Sequence, residues 1–284
     1  MVSMRSLTRS LSPFAVPGPA DSVPQVTAAS LVVPARFNGP PGSANGGYVA
    51  GLLAAHVPRL PAATPPAADH AVMGILVPQP RPPVRVILRE PPPLGTVLLV
   101  AAGDTDGQVV ASFGGAVVAT AEPGGFETEP VPPVSFDVAA QAEHRYAGLR
   151  SHPFPACFVC GPDRPAGDGL GLRPGRVGTG AGSPVATTWV PDASLAAGDG
   201  LVGEPFVWAA LDCPSGWAGD LEDRPMVLGR ITAAVHARPV VGDRCVVVAA
   251  RLGGEGRKAF TASTAYDGDG RVLGRAEATW IALR

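Results

Sequence analysis

The order of elements in this chain repeats, and a repeat constrains a fold more than any local propensity, because both copies must bury equivalent faces. The first copy opens on the strand-like Leu31-Val32-Val33 and passes through a turn-rich stretch from Phe37 to Gly47. Tyr48 to His56 then reads as an apolar helix closed by Pro58. Beyond a Pro-rich connection at 58–83 come a strand at Val84–Leu88 and two more near 96–102 and 108–121, parted by the turn Gly103-Asp104-Thr105-Asp106-Gly107. The second copy has a strand at Val185–Val190, a loop to Gly203, and a helix Phe206–Asp212 stopped by Pro214. Strands near 227–237, 244–251, 258–266 and 271–282 follow, with glycine-rich turns at 253–256 and 267–270.

Two anchors align the copies. Tyr48-Val49-Ala50-Gly51-Leu52-Leu53 lies over Phe206-Val207-Trp208-Ala209-Ala210-Leu211, and Pro93-Leu94-Gly95-Thr96 lies over Val240-Val241-Gly242-Asp243. Each copy is one apolar helix followed by a meander of antiparallel strands, an α+β unit. The expected organisation is a loosely ordered segment at 1–28, a first unit at 29–123, a connecting segment with a Cys-x-x-Cys loop at 124–182, and a second unit at 183–284.

Composition narrows the function classes. The 36 Gly and 33 Pro make about a quarter of the 284 residues, yet 46% of the chain is hydrophobic, so the breakers belong in turns and linkers. Only 16% of residues are charged and the net charge is −2, which leaves no positive excess to hold a nucleic acid. No apolar run approaches the ~20 residues of a membrane span, and Pro13 interrupts any signal-like apolar run. Cys157, Cys160, Cys213 and Cys245 are too few for a disulfide framework. A reduced, cytoplasmic protein with no cofactor and no nucleic-acid or membrane partner is expected.

A helix wrapped by an antiparallel sheet, twice in one chain, resembles the hotdog fold in its tandem, double-hotdog form. Asn45-Gly46-Gly47-Tyr48 before an Ala/Leu helix resembles the His-Gly-Gly helix start of hotdog acyl-CoA thioesterases of the PaaI and 4-hydroxybenzoyl-CoA thioesterase type. His152–Pro162 and Ala210–Ala218 are similar to stretches of actinobacterial thioesterase-like hotdog proteins. The resemblance implies hydrolysis of an acyl-CoA or acyl-carrier thioester, and association of double-hotdog units into a homo-oligomer. It places the catalytic carboxylate eight residues past the first glycine, which here is Ala54. Ala54 aligns with Asp212, and the family's paired helices run antiparallel. One complete site is therefore expected from Asn45, Gly46 and Gly47 of the first unit and Asp212 of the second. The reciprocal position, with Ala54 and Glu204-Pro205, should be dead.

The residue types suit this chemistry. Glycines at a helix start let a substrate approach the backbone, and the exposed N–H groups there attract negative charge. A thioester oxygen gains such charge in the transition state, and the Gly46 and Gly47 amides are the expected donors. Asp212 is the expected general base or nucleophile. Against this, Asp212 reads equally as the residue that stops its helix, and Asn45 as a helix cap. Asn45, Tyr48 and Ser215 are the substrate-side candidates, Ser215 by steadying a water. Cys157-x-x-Cys160 has the shape of a zinc knuckle that His144 and His152 would complete, but an inter-domain loop with two buried thiols is the preferred reading. The rival functions are a non-catalytic acyl-binding module and a hotdog hydratase or dehydratase.

Overall fold

Burial alternates along Val84–Val86 and Val97–Val100, the mark of half-buried strands, and eleven strands join in one antiparallel sheet among the described residues. The computed structural model describes residues 29–58, 82–180 and 182–284; the lead-in at 1–28 and nearly all of the Pro-rich connection at 58–83 lie outside them. The first unit comprises β1 (Ala29–Val32), α1 (Gly46–Ala54), β2 (Val84–Leu88), β3 (Val97–Ala102), β4 (Val109–Phe113) and β5 (Ala116–Pro123). A helix α2 (Phe136–Glu143) and the short β6 (Gly175–Arg176) follow. The second unit comprises β7 (Val185–Trp189), α3 (Glu204–Ala218), β8 (Met226–Val235), β9 (Cys245–Glu255), β10 (Lys258–Tyr266) and β11 (Val272–Ala282).

The sheet order is β1-β3-β4-β5-β2-β8-β11-β10-β9-β7-β6. Read outward from its centre, each half has the same permutation of strands. The halves join through β2 and β8, where Val86 lies opposite Ile231. The duplication extends to single hydrogen bonds. An isolated bridge pairs Asn38 with Ala44, and another pairs Ala196 with Val202. The Asn45 N–H donates to Phe37 O at 2.8 Å, and the Gly203 N–H to Leu195 O at 2.9 Å. One constant offset carries each residue of the first set onto the second, and the same offset lays Ala54 over Asp212. The second anchor matches too: Gly95 and Gly242 both adopt positive φ and donate to the chain just past β1 and β7, at 2.8 and 2.9 Å.

Two sequence readings are corrected. The strand expected over 108–121 is a hairpin, because Gly114 and Gly115 both take positive φ between the paired Phe113 and Ala116, a tight two-residue turn. The second helix does not stop before Pro214 but runs through it to Ala218. An interior proline removes one N–H and crowds the preceding turn. Hydroxyls bind the carbonyls beside it, with Ser263 Oγ donating to Leu211 O at 2.7 Å and Ser215 Oγ to Asp212 O at 2.8 Å.

The connecting segment is more than a linker. Its helix α2, capped by Ser135, covers the sheet face opposite α3. Along β9, Cys245 and Val247 join the core under α3, while Val246 and Val248 pack with Ala139 and Ala142 of α2. Five consecutive residues of β9 are therefore buried, whereas β3 alternates and leaves Val97 and Leu99 more than half exposed.

Helices α1 and α3 cross antiparallel on one face of the sheet, and glycine sets how closely they approach. A Cβ at Gly51 would stand 2.8 Å from Pro205 Cα and 2.9 Å from Trp208 Cγ. Alanine is the better helix former by about 1 kcal/mol, but it cannot fit without moving backbone. Gly51→Ala is expected to lower stability by roughly 1–3 kcal/mol, read as a fall in the urea midpoint. An unchanged or raised midpoint would show that the crossing is not tight.

A candidate active site where the two helices cross

The start of α1 and the middle of α3 meet at a buried carboxylate. Asn45 caps α1, its Oδ1 accepting from the Tyr48 N–H at 2.9 Å. That bond turns the Asn45 amide nitrogen toward α3, where Nδ2 donates to Asp212 Oδ2 at 3.0 Å. The Gly47 N–H donates to the same oxygen at 2.9 Å. Only glycine fits there, since a Cβ at Gly47 would lie 2.5 Å from Asp212 Cβ. Asp212 and Asn45 are each 2% exposed. Burial pushes the Asp212 carboxyl up to about 7, and the neighbouring Cys157 thiolate adds to the rise, against the opposing Gly47 and Asn45 hydrogen bonds. The second oxygen, Oδ1, has no hydrogen-bond partner among the described residues.

Asp212, Asn45 and Gly46 line a cleft of about 470 Å³. Its walls are mostly apolar, formed by Leu88, Met226, Leu228, Trp280, Ile281 and Leu283, with Phe154, Cys157 and Cys160 on the side of the connecting segment. The cleft thus joins an apolar channel to one buried carboxylate and one helix N-terminus.

The sequence candidates fall into two groups. Asn45, Gly46, Gly47 and Asp212 come together, though the two glycines differ. The Gly47 amide is committed to Asp212, whereas the amide of Gly46, a cleft-lining residue, has no acceptor among the described residues. Both amides were expected to meet a carbonyl, and only Gly46 is free to do so. Tyr48 and Ser215 do not line the cleft. Tyr48 stacks on Phe37 at 4.3 Å and packs beside Phe206, so its ring belongs to an aromatic cluster. Ser215 is fully buried, donating to Asp212 O and accepting from Trp280 Nε1 at 2.9 Å, which leaves it unable to steady a water in the cleft. Asp212 does not stop its helix either, because α3 continues past it.

The reciprocal position, where Glu204 aligns with Gly46, lacks a carboxylate in the place of Asp212 and lacks the second amide. The offset puts Pro205, which has no N–H, where Gly47 stands, and Ala54 where Asp212 stands.

Among the cysteine and histidine candidates, Cys157, Cys160 and His152 gather, and His144 does not; it lies exposed at the end of α2. Cys213 is a buried core residue of α3. The structure puts its sulfur 3.7 Å from that of Cys157, a contact that spacing along the chain could not reveal. The cleft-lining role of Phe154 was missed for the same reason. Hydrogen bonds from the Cys160 and Cys213 thiols hold Cys157 well below the usual thiol range; burial pushes Cys160 up, and the bond to Cys157 pushes Cys213 up.

No protein-family model and no curated protein sequence matches the chain. Solved structures do. The tesB protein of Mycobacterium avium subspecies paratuberculosis superposes with a TM-score of 0.54 at 12% identity, over 89% of this chain and 91% of that one. A conserved protein of unknown function with a hot dog fold from Alicyclobacillus acidocaldarius gives 0.51 at 14% identity, over 90% and 92%. Likeness at this identity is one of fold, and with the repeated strand order it identifies the chain as a tandem double hotdog.

Proposed function

We propose that the protein hydrolyses an acyl-CoA or acyl-carrier thioester at the single site formed by Asn45, Gly46, Gly47 and Asp212. The observation that carries this reading is a buried aspartate whose one oxygen is fixed by Gly47 and Asn45 while the other is unpartnered, beside a free helix N-terminal amide in an apolar cleft. The acyl chain lies along Leu88, Leu228 and Ile281. The thioester carbonyl points at the Gly46 N–H, which stabilises the oxygen as it gains negative charge; a donor in that role contributes roughly 3–4 kcal/mol to the transition state. Asp212 Oδ1 takes the proton of an attacking water and returns it to the departing thiolate, or it attacks the carbonyl itself, expelling the thiolate and forming a mixed anhydride that a water then hydrolyses, the water's proton going to the thiolate. Asn45 and Gly47 are positioning groups that hold the carboxylate at the crossing. Similarity in fold to a tesB protein agrees with this reading, although one fold hosts many functions. The hydratases this fold resembles pair a histidine with the carboxylate, and among the described residues no histidine lines the cleft.

Asp212→Asn keeps the shape of the side chain and removes the base. Thiol release from a panel of acyl-CoAs is expected to fall by about 10²–10⁴, with acyl-CoA affinity and urea midpoint little changed. Turnover that survives the substitution would refute the assigned site. Binding without turnover in the unaltered protein, across CoA and carrier-bound substrates, would make this a non-catalytic acyl-binding module instead.

A further inference from the structure

The connecting segment delivers two thiols to a third on the catalytic helix. The sulfur atoms of Cys157, Cys160 and Cys213 all lie within 4.8 Å of one another, and all three side chains are buried and unoxidised. Metal–thiolate bonds of about 2.3 Å at tetrahedral angles separate two sulfurs by roughly 3.8 Å. The Cys157 and Cys213 sulfurs stand 3.7 Å apart. A fourth donor stands beside the cluster: His152 Nε2 is 3.3 Å from the Cys160 sulfur, outside the set of three sulfurs that all lie within 4.8 Å of one another, so its ring must swing inward to complete a site.

The backbone around the pair is shaped as a knuckle. The Cys157 N–H donates to Phe154 O and the Gly161 N–H to Cys157 O, both at 2.9 Å. Glycine is required after Cys160, because a Cβ at Gly161 would stand 2.4 Å from Pro155 O and 2.5 Å from Cys157 N. Tyr146 donates its hydroxyl to Cys160 O at 2.8 Å, and its ring and that of Trp217 flank His152 at 6.3 and 5.1 Å. A chain that needed only two small buried residues here would not need this turn.

We infer that Cys157, Cys160, Cys213 and His152 bind one zinc ion, which fixes the connecting segment to α3 as a wall of the cleft. Three thiolates and an imidazole are a soft, borderline donor set that favours zinc over calcium or magnesium. The Phe154 N–H donates to His152 Nδ1 at 2.9 Å, so in the metal-free arrangement the ring hydrogen sits on Nε2. Ligation through Nε2 puts that hydrogen on Nδ1, so the Phe154 N–H···Nδ1 bond and the Nε2–H···Sγ contact to Cys160 are both given up for the metal–nitrogen bond, and the ring turns Nδ1 away from the Phe154 N–H. With all four positions filled by protein, the ion's role is structural. It also lies beside the reaction centre, since Cys213 follows Asp212 and its sulfur is 3.7 Å from Asn45 Nδ2. The assignment replaces the set of Cys157, Cys160, His144 and His152 drawn from the sequence, with Cys213 in place of His144.

The test uses the full chain purified under reducing conditions without chelator. One zinc per chain by elemental analysis is expected. Chelation should expose three further thiols to a thiol reagent, and added zinc should protect them again. Cobalt in place of zinc should give thiolate charge-transfer bands with tetrahedral d–d bands. His152→Ala, which leaves the three thiols in place, should weaken zinc binding at least tenfold while the protein stays folded; Cys157→Ser should abolish it. A folded chain that holds no zinc, takes up no cobalt and shows the same thiol reactivity with and without zinc would overturn the inference. So would a native mass lower by two hydrogens with Cys157 and Cys213 cross-linked. These readouts do not depend on thioester hydrolysis, so failure of the metal site and failure of the proposed activity are distinguishable.

Discussion

The hydrogen bond from the Gly47 amide to Asp212 Oδ2 spans the two halves of the molecule, and the architecture is arranged to make it possible. It requires two helices to approach until backbone meets side chain, which only a residue without a Cβ allows. That approach requires both helices on one face of one continuous sheet, hence the junction of β2 with β8. Burying a carboxylate is costly unless it is held, and one with an unpartnered oxygen costs about 1–3 kcal/mol more. A core built only for stability would put an alanine there, as the other half does at Ala54.

This contrast shows what the duplication has done. Both halves keep the same bridges, the same turn before the helix and the same strand permutation, so the scaffold has stayed symmetric. The chemistry has not. Pro205 removes the amide that Gly47 supplies, and Ala54 removes the carboxylate. The connecting segment breaks the symmetry further, covering the outer face of the second unit's sheet with α2 and walling the cleft at its Cys-x-x-Cys turn.

Much of this was legible in the sequence because it is written in element order and in glycine positions. The repeat, the α+β class and the pairing of Ala54 with Asp212 follow from two short anchors. The meeting of Asn45, Gly46 and Gly47 with Asp212 required in addition the antiparallel helix pairing of the family resembled. Errors arose where tertiary contacts override local signals. Pro214 normally ends a helix, but α3 runs through it to Ala218 while packed along its length against β8, β9, β10 and β11. Gly114-Gly115 was a readable hairpin signal, hidden by the apolar residues on both sides. Ser215 looked available because it follows Asp212 by three residues, past the expected helix end, yet Trp280, a residue distant in sequence, occupies it. Cys213 carried no signal, since its partners lie in a loop more than fifty residues earlier and are brought to it only by folding.

The proposed thioester site is composite, with amide and carboxylate supplied by different halves. Its most direct test is the crystal structure of the Asp212→Asn protein with an acyl-CoA bound. The carbonyl oxygen should lie about 3 Å from the Gly46 nitrogen, with residue 212 beside the carbonyl carbon and the acyl chain against Leu228 and Ile281. An acyl group seated at the Ala54 end of the crossing, or a thioester remote from Gly46, would contradict the account.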